Sequence, residues 1–194
     1  APPTPAKVEP PFVPEVLAWV LPYENSLQSF ERNARYITVA SPTYFRLAVD
    51  GKNAKLEDWD PNVPFPRPRL TAAMKGATPV VLPLVGCIGP CGPKISRVID
   101  DEAARKAHIN DLMRVVREQN LAGLVIDYEE VDASEANVSR FVADLAKELH
   151  ASQKKLVLVI QEPCGVDPAC KRAPYPFALK SLVKDVDQLA VMEY

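Results

Sequence analysis

The chain has 194 residues, enough for one domain with a large core, and its hydrophobic (47%) and charged (25%) fractions are those of an ordinary soluble globule. A formal net charge of −2, with neither sign gathered into a long block, gives no electrostatic footprint for nucleic acid or an anionic membrane. No run approaches the roughly 18 apolar residues of a membrane span, so the expected partner is a neutral or small molecule.

The opening APPTPAKVEPPFVP holds six prolines in fourteen residues, a composition that favours extended polyproline conformations over any packed element. Residues 1–14 therefore read as a tether. Ala1 in place of an initiator Met reads as a processed or shortened chain, with the tether following a removed signal peptide.

Residues 15–194 alternate short β-rich runs with longer segments of helical period, the pattern of repeated βα units around a parallel sheet. The expected strands are Glu15–Leu21, Tyr36–Ala40, Pro79–Val85, Leu121–Asp127, Lys155–Ile160 and Gln188–Met192, all apolar enough for burial on both faces. Such units build either an open doubly wound sheet or a (β/α)8 barrel, and periodicity alone does not choose. The first strand leaves through VLPYENS rather than a glycine-rich phosphate loop, which disfavours a nucleotide-binding sheet. After the second strand, Asp50–Arg69 contains DGKN and PNVPFPRPR and is expected to be an elaborated loop, placed to wall a cleft.

Cysteines come in two close pairs, Cys87 with Cys91 and Cys164 with Cys170, and four cysteines allow three connectivities. Short-range disulfides within each loop are the favoured reading and would place the chain in an oxidising compartment. The alternatives are a zinc site, disfavoured because neither pair has the usual two-residue gap, and buried free thiols.

Two helices are well specified. Ile109, Leu112, Met113 and Val116 form one apolar stripe, and Val138, Phe141, Val142, Leu145 and Leu149 form another. Asp132 with Glu135 reads as a capping box that starts the second helix shortly after the fourth strand.

That strand and its exit read LAGLVIDYEEV. Alternation puts Gly123, Val125, Asp127 and Glu129 on one side and Ala122, Leu124, Ile126 and Tyr128 on the other. Side chains two residues apart on a strand have Cα atoms about 6 to 7 Å apart, so the two carboxyl groups are within reach of one another and resist ionising together. The expectation is one lowered and one raised pKa, with Glu129, nearer the strand's C-terminal end, as general acid. The bland alternative makes Asp127 a loop cap and leaves Glu129 and Glu130 as solvated acids ahead of a helix N-terminus.

The same segment resembles the strand-four signature of family 18 glycoside hydrolases, DGxDxDxE, whose final glutamate is catalytic. Gly123, Asp127 and Glu129 match it, while Ala122 and Val125 stand where the pattern has its first two acids. LAVMEY at the end of the chain resembles the family's MxYD motif, with Met192 and Tyr194 matching; plain core packing is the alternative for both. The third strand, PVVLPLVGCIG, does not match the family's SxGG motif. The stretch VLAWVLPYENSLQSFERNARYITVASPTYF is similar to bacterial spore-coat and peptidoglycan-associated members.

The resemblance implies a (β/α)8 TIM-type barrel that needs no metal or cofactor. It implies cleavage of β-linked N-acetylglucosamine glycans (chitin, peptidoglycan glycan or an N-glycan core) with retention and substrate assistance, outside the cell or at its envelope. Glu129 would be the acid, Asp127 its partner, and Tyr194 with Met192 would line the substrate site. A complete barrel takes about 250 residues, so 15–194 holds about six of eight βα units and is expected to be a piece of a longer protein. The rivals are a non-catalytic chitinase-like lectin and a wall-attachment domain. Neither oligomeric state nor endo or exo action is legible.

Overall fold

The computed structural model describes residues 14–50, 52–161 and 179–192. Nearly all of the expected tether, together with Cys164, Cys170 and Tyr194, lies outside them.

β1 (Leu17–Val20) leads into α1 (Glu24–Asn33), and β2 (Val39–Pro42) follows a short 3₁₀ turn over Ala34–Tyr36, so the second strand starts later than its apolar run suggests. β3 (Phe45–Asp50) and β4 (Asn53–Asp58) form an antiparallel hairpin before α2 (Arg67–Ala73). The expected loop over Asp50–Arg69 is thus corrected. Phe45, Leu47 and Ala54 alternate inward and are buried, and the Asp50-Gly51 dipeptide between the strands is a hairpin signal.

The third expected strand is split into β5 (Val80–Val81) and β6 (Leu84–Cys87). Pro83, which has no N–H to give, sits at the interruption. β5 pairs with β2 and β6 with β7 (Gly123–Tyr128), so the run 80–87 joins the two sheets. β8 (Lys155–Gln161) and β9 (Gln188–Met192) continue the parallel order beyond β7. Opposite this run, the step from Ala40 to Phe45 faces the shorter step from Val81 to Val85; the extra residue is a bulge where β2 passes into β3. Parallel strands in the order β1, β2, β5/β6, β7, β8, β9 follow a (β/α)8 path. Because β1 pairs with β2 alone and β9 with β8 alone, the sheet does not close among the described residues.

α3 (Gly92–Asp100), α4 (Glu102–Glu118), α5 (Glu135–Ala151) and the short α6 (Leu179–Leu182) complete the described elements. Both predicted stripes, on α4 and α5, are buried as expected. They pack with Leu124, Ile126, Leu156, Leu158 and Ile160 into the larger core. Here His108 of α4 bonds Tyr128 Oη at 2.8 Å and stacks on Phe141. The opposite face of the same strands carries Val125, Val157, Val159 and Met192 in a second cluster with no helical residue. β7 and β8 are therefore buried on both sides. β1 and β9 are not: Trp19 is 40% and Val191 46% exposed, since each of these strands has a neighbour on one side only among the described residues. None of the described helices is long and apolar enough to cross a membrane.

The cap of α5 is Ser134, whose Oγ accepts from the Asn137 N–H; Asp132 instead donates its own N–H to Ser96 Oγ at 2.9 Å. The capping box expected from Asp132 and Glu135 is corrected: Glu135 is the first residue of α5, and the Ser134 N–H goes to Asp100 Oδ1 rather than to a side chain three residues on. Replacing Ser134 with Ala should destabilise the protein by about 1 kcal/mol, and Asp132→Ala by less than about 0.5 kcal/mol, in urea unfolding. Equal losses would return the cap to Asp132.

Candidate functional site

Alternation along β7 divides its side chains between the two cores, and Asp127 falls on the helix-free face with Val125. Its strand neighbour in register is Gly86. Asp127 is 8% exposed, and its Oδ1 is buried without a hydrogen-bond partner among the described residues. Burial, and secondarily the nearby Glu129 carboxylate, push its pKa up to about 7. Glu129 follows at the strand's exit, half-buried, with its carboxyl also raised, first by burial and then by Glu130. The expected split into one lowered and one raised pKa is corrected. A lowered pKa needs a cation or donors on the carboxylate, and neither group has a hydrogen-bonded donor among the described residues.

Glu129 is placed by backbone. Its N–H donates to the Cys87 carbonyl at 2.9 Å, carrying the β6–β7 ladder one residue past the end of the strand. Glu130 then turns the chain with a φ of 54°, in the left-handed region that a non-glycine residue enters at a cost of about 1–3 kcal/mol. The start of α3 lies against this turn. A Cβ on Gly92 would collide with the carbonyl oxygens of both Glu129 and Glu130, so glycine alone permits that approach. Ser96 Oγ donates to the Gly92 carbonyl and accepts from Asp132 N–H, and Asp100 Oδ1 accepts from Ser134 N–H and the Asn137 amide. A disulfide between Cys87 and Cys91 closes the turn between β6 and α3. These two thiols therefore hold no zinc, and the described residues contain no cluster of three potential ligands.

One strand away, across Gly86, the register partner of Asp127, opens a cleft of about 480 Å³ lined by Arg46, Glu57, Trp59, Gly86, Ile88 and Cys91, with neither carboxyl group in its lining. The hairpin that supplies Arg46 and Glu57 occupies the segment expected to wall a cleft. Met192, from β9, belongs to the inner cluster with Val157 and Val159.

The sequence pattern described as Glycosyl hydrolases family 18 matches residues 25–194. The chain belongs to this family. Among solved structures, a chitinase from Chromobacterium violaceum superposes with a TM-score of 0.75 at 19% identity, over 93% of this chain and 56% of that one. A class V chitinase from Pseudomonas fluorescens does so with 0.72 at 26%, over 94% and 54%. The spore cortex-lytic enzyme SleL of Bacillus megaterium gives 0.72 at 17%, over 93% and 42%. The chain thus spans about half the length of the structures it matches. No curated protein matches it.

Of the residues matched to the family-18 motifs, Gly123, Asp127 and Glu129 stand on β7 or its exit, and Met192 shares their face; Tyr194 lies outside the described residues. Sequence reasoning did not single out Trp59, Gly92, Ser96 or Asp100. The Asp-Gly hairpin signal was available for the hairpin that leads to the first, whereas the other three act through tertiary contacts that no local pattern announces.

Asp127 has a stability signature with a definite sign. Its carboxyl titrates near 7 in the fold and near 3.9 unfolded, so between those values the native state binds more protons and stability falls as pH rises. Asp127→Asn should therefore stabilise the protein at pH 8, by roughly 3 kcal/mol or less, with the gain vanishing near pH 4. Buried His108, with its pKa pushed down to about 4, acts in the opposite sense, so variant and parent are compared by urea unfolding at each pH. A difference that does not change with pH would remove the claim of a raised pKa. Changing both Cys87 and Cys91 to Ser should cost about 2 kcal/mol, from the chain-entropy value for so short a loop. An unchanged urea midpoint would count against that crosslink.

Proposed function

We propose that this chain carries the catalytic strand of a retaining glycosidase that cleaves β-linked N-acetylglucosamine glycans, with Glu129 as the acid. The observation that supports it best is the placement of two carboxyl groups, both held above their ordinary pKa, where β7 leaves the sheet, one strand from an open cleft that Gly86 lines. A raised pKa favours the protonated form of a carboxyl, which is the form a general acid requires.

In this reaction Glu129 gives its proton to the glycosidic oxygen as the bond to the anomeric carbon breaks. The substrate's own 2-acetamido oxygen attacks that carbon, so no enzyme carboxylate becomes the nucleophile. Asp127, one face-sharing position earlier, orients the acetamido group and stabilises it as positive charge develops. Glu129, now a carboxylate, takes a proton from the water that opens the intermediate. Tyr194 and Met192 are proposed to line the same subsite.

Chitin, peptidoglycan glycan and an N-glycan core all present this linkage; chitinases and a cortex-lytic enzyme among the structural neighbours support the class. Such polymers, and the Cys87–Cys91 disulfide, favour action outside the cell or at its envelope. A lectin-like reading is favoured by one feature, Val125, which leaves Asp127 without an inner acid beneath it.

The test uses the full-length protein and its Glu129→Gln variant on chromogenic N-acetylglucosamine oligomers. The variant should lose roughly 10²–10⁴-fold in kcat and still bind the oligomers. Turnover unchanged by the substitution would overturn the assignment of the acid, while binding without turnover in both proteins would select the lectin.

A further inference from the structure

The cleft one strand away from Asp127 has the composition of a sugar subsite. Trp59, just beyond the C-terminal end of β4, lies against the α-carbon of Gly86, on the helix-free face; a Cβ at that glycine would run into the indole's six-membered ring. Gly86 is in turn the register partner of Asp127, so the indole sits one strand away from the buried carboxyl. Trp59 is half-buried and lines the cleft, so part of the indole remains accessible from it. Its N–H is held by the Tyr44 carbonyl through the backbone at 3.1 Å, which fixes the residue at the mouth of the hairpin.

Two polar side chains border the same space. Arg46 and Glu57 face each other across the hairpin in an ion pair of 3.4 Å, and both are about half exposed, so their remaining donors and acceptors are available to a ligand. A pair this accessible adds little to stability. At about 480 Å³ the cleft falls within the range of small-ligand sites, roughly 300–1,000 Å³.

We propose that Trp59 is the stacking platform of a glycan subsite one or more sugars away from the scissile bond, with Arg46 and Glu57 bonding the hydroxyl or acetamido groups of the sugar it holds. The ligand class follows from the chemistry. A β-linked pyranose presents axial C–H bonds on its faces and hydroxyls around its rim. The negative face of an indole attracts those C–H bonds, and the rim requires both donors and acceptors. Glycine at 86 fits the same design: any side chain there would displace the indole from its place beside Asp127. This inference rests on the glycosidase reading above, and its test is arranged so that the two fail differently.

Binding is measured in the full-length Glu129→Gln protein, where turnover does not interfere, with N-acetylglucosamine oligomers of two to six units. The parent's affinity should rise with length. Trp59→Ala should weaken binding of the longest oligomer by about tenfold or more and flatten the dependence on length, Trp59→Phe should recover most of the loss, and Gly86→Ala should mimic Trp59→Ala. Trp59→Phe should also abolish most of the change in tryptophan fluorescence on binding. Melting temperatures within a few degrees of the parent show that each variant is folded. Oligomer binding indifferent to Trp59 in folded variants overturns this proposal alone; no binding of any oligomer by the Glu129→Gln protein overturns both.

Discussion

One backbone hydrogen bond, from Glu129 N–H to the Cys87 carbonyl, governs the geometry of the site. It extends the β6–β7 ladder one residue past the strand, so Glu129 inherits the strand's position. Everything around that bond keeps it in place. The disulfide restrains the residue that accepts it, Gly92 lets the start of α3 press on the following turn, and Ser96 ties that helix to the loop beyond. Precision thus comes from a parallel ladder and a helix start rather than from contacts of the glutamate's own carboxyl, which is left available for a proton.

Two buried titratable groups lie on opposite faces of β7. His108 packs on the helix side, its Nε2 bonded to Tyr128 Oη and its ring stacked on Phe141, and burial holds it neutral, with Nδ1 left without a hydrogen-bond partner among the described residues. Asp127, on the other face, is buried somewhat less completely, and its Oδ1 likewise has no hydrogen-bond partner among the described residues. A polar atom left in that state costs on the order of 1–3 kcal/mol, a penalty that structural residues seldom retain.

Legibility in the sequence followed the range of the interaction. The alternation on β7 and the 3.6-residue stripes on α4 and α5 are local, and Leu124, Ile126 and Tyr128 oppose Val125 as the pattern implied, whereas Ala122, ahead of the strand, packs on the Val125 side. The β3–β4 hairpin was hidden because Asp50–Arg69 was read for its turn residues, although only its second half, from Asp60, lacks a strand. The cap of α5 moved from Asp132 to Ser134 because Ser96, distant in sequence, claims the Asp132 N–H. The pKa values could not be read from spacing at all. Two carboxylates at i and i+2 predict competition for a proton, but the sign of each shift depends on what else is near, and burial dominates both.

The departures from the family's strand-four pattern acquire a physical meaning in this arrangement. Where the pattern places an inner acid, this chain has Val125, packed with Leu84, Val157 and Met192. An inner carboxyl would share a proton with Asp127 and raise its pKa by like-charge repulsion; an apolar floor raises it by denying the charged form solvation. Both routes reach a carboxyl that is protonated near neutral pH, but they differ in what remains on the cleft side. With no acid beneath it, Asp127 has Glu129 as its charged neighbour among the described residues, and its buried Oδ1 has no hydrogen-bond partner among them. The replacement therefore removes a proton-sharing partner without removing the property that such a partner supplies, a raised carboxyl pKa.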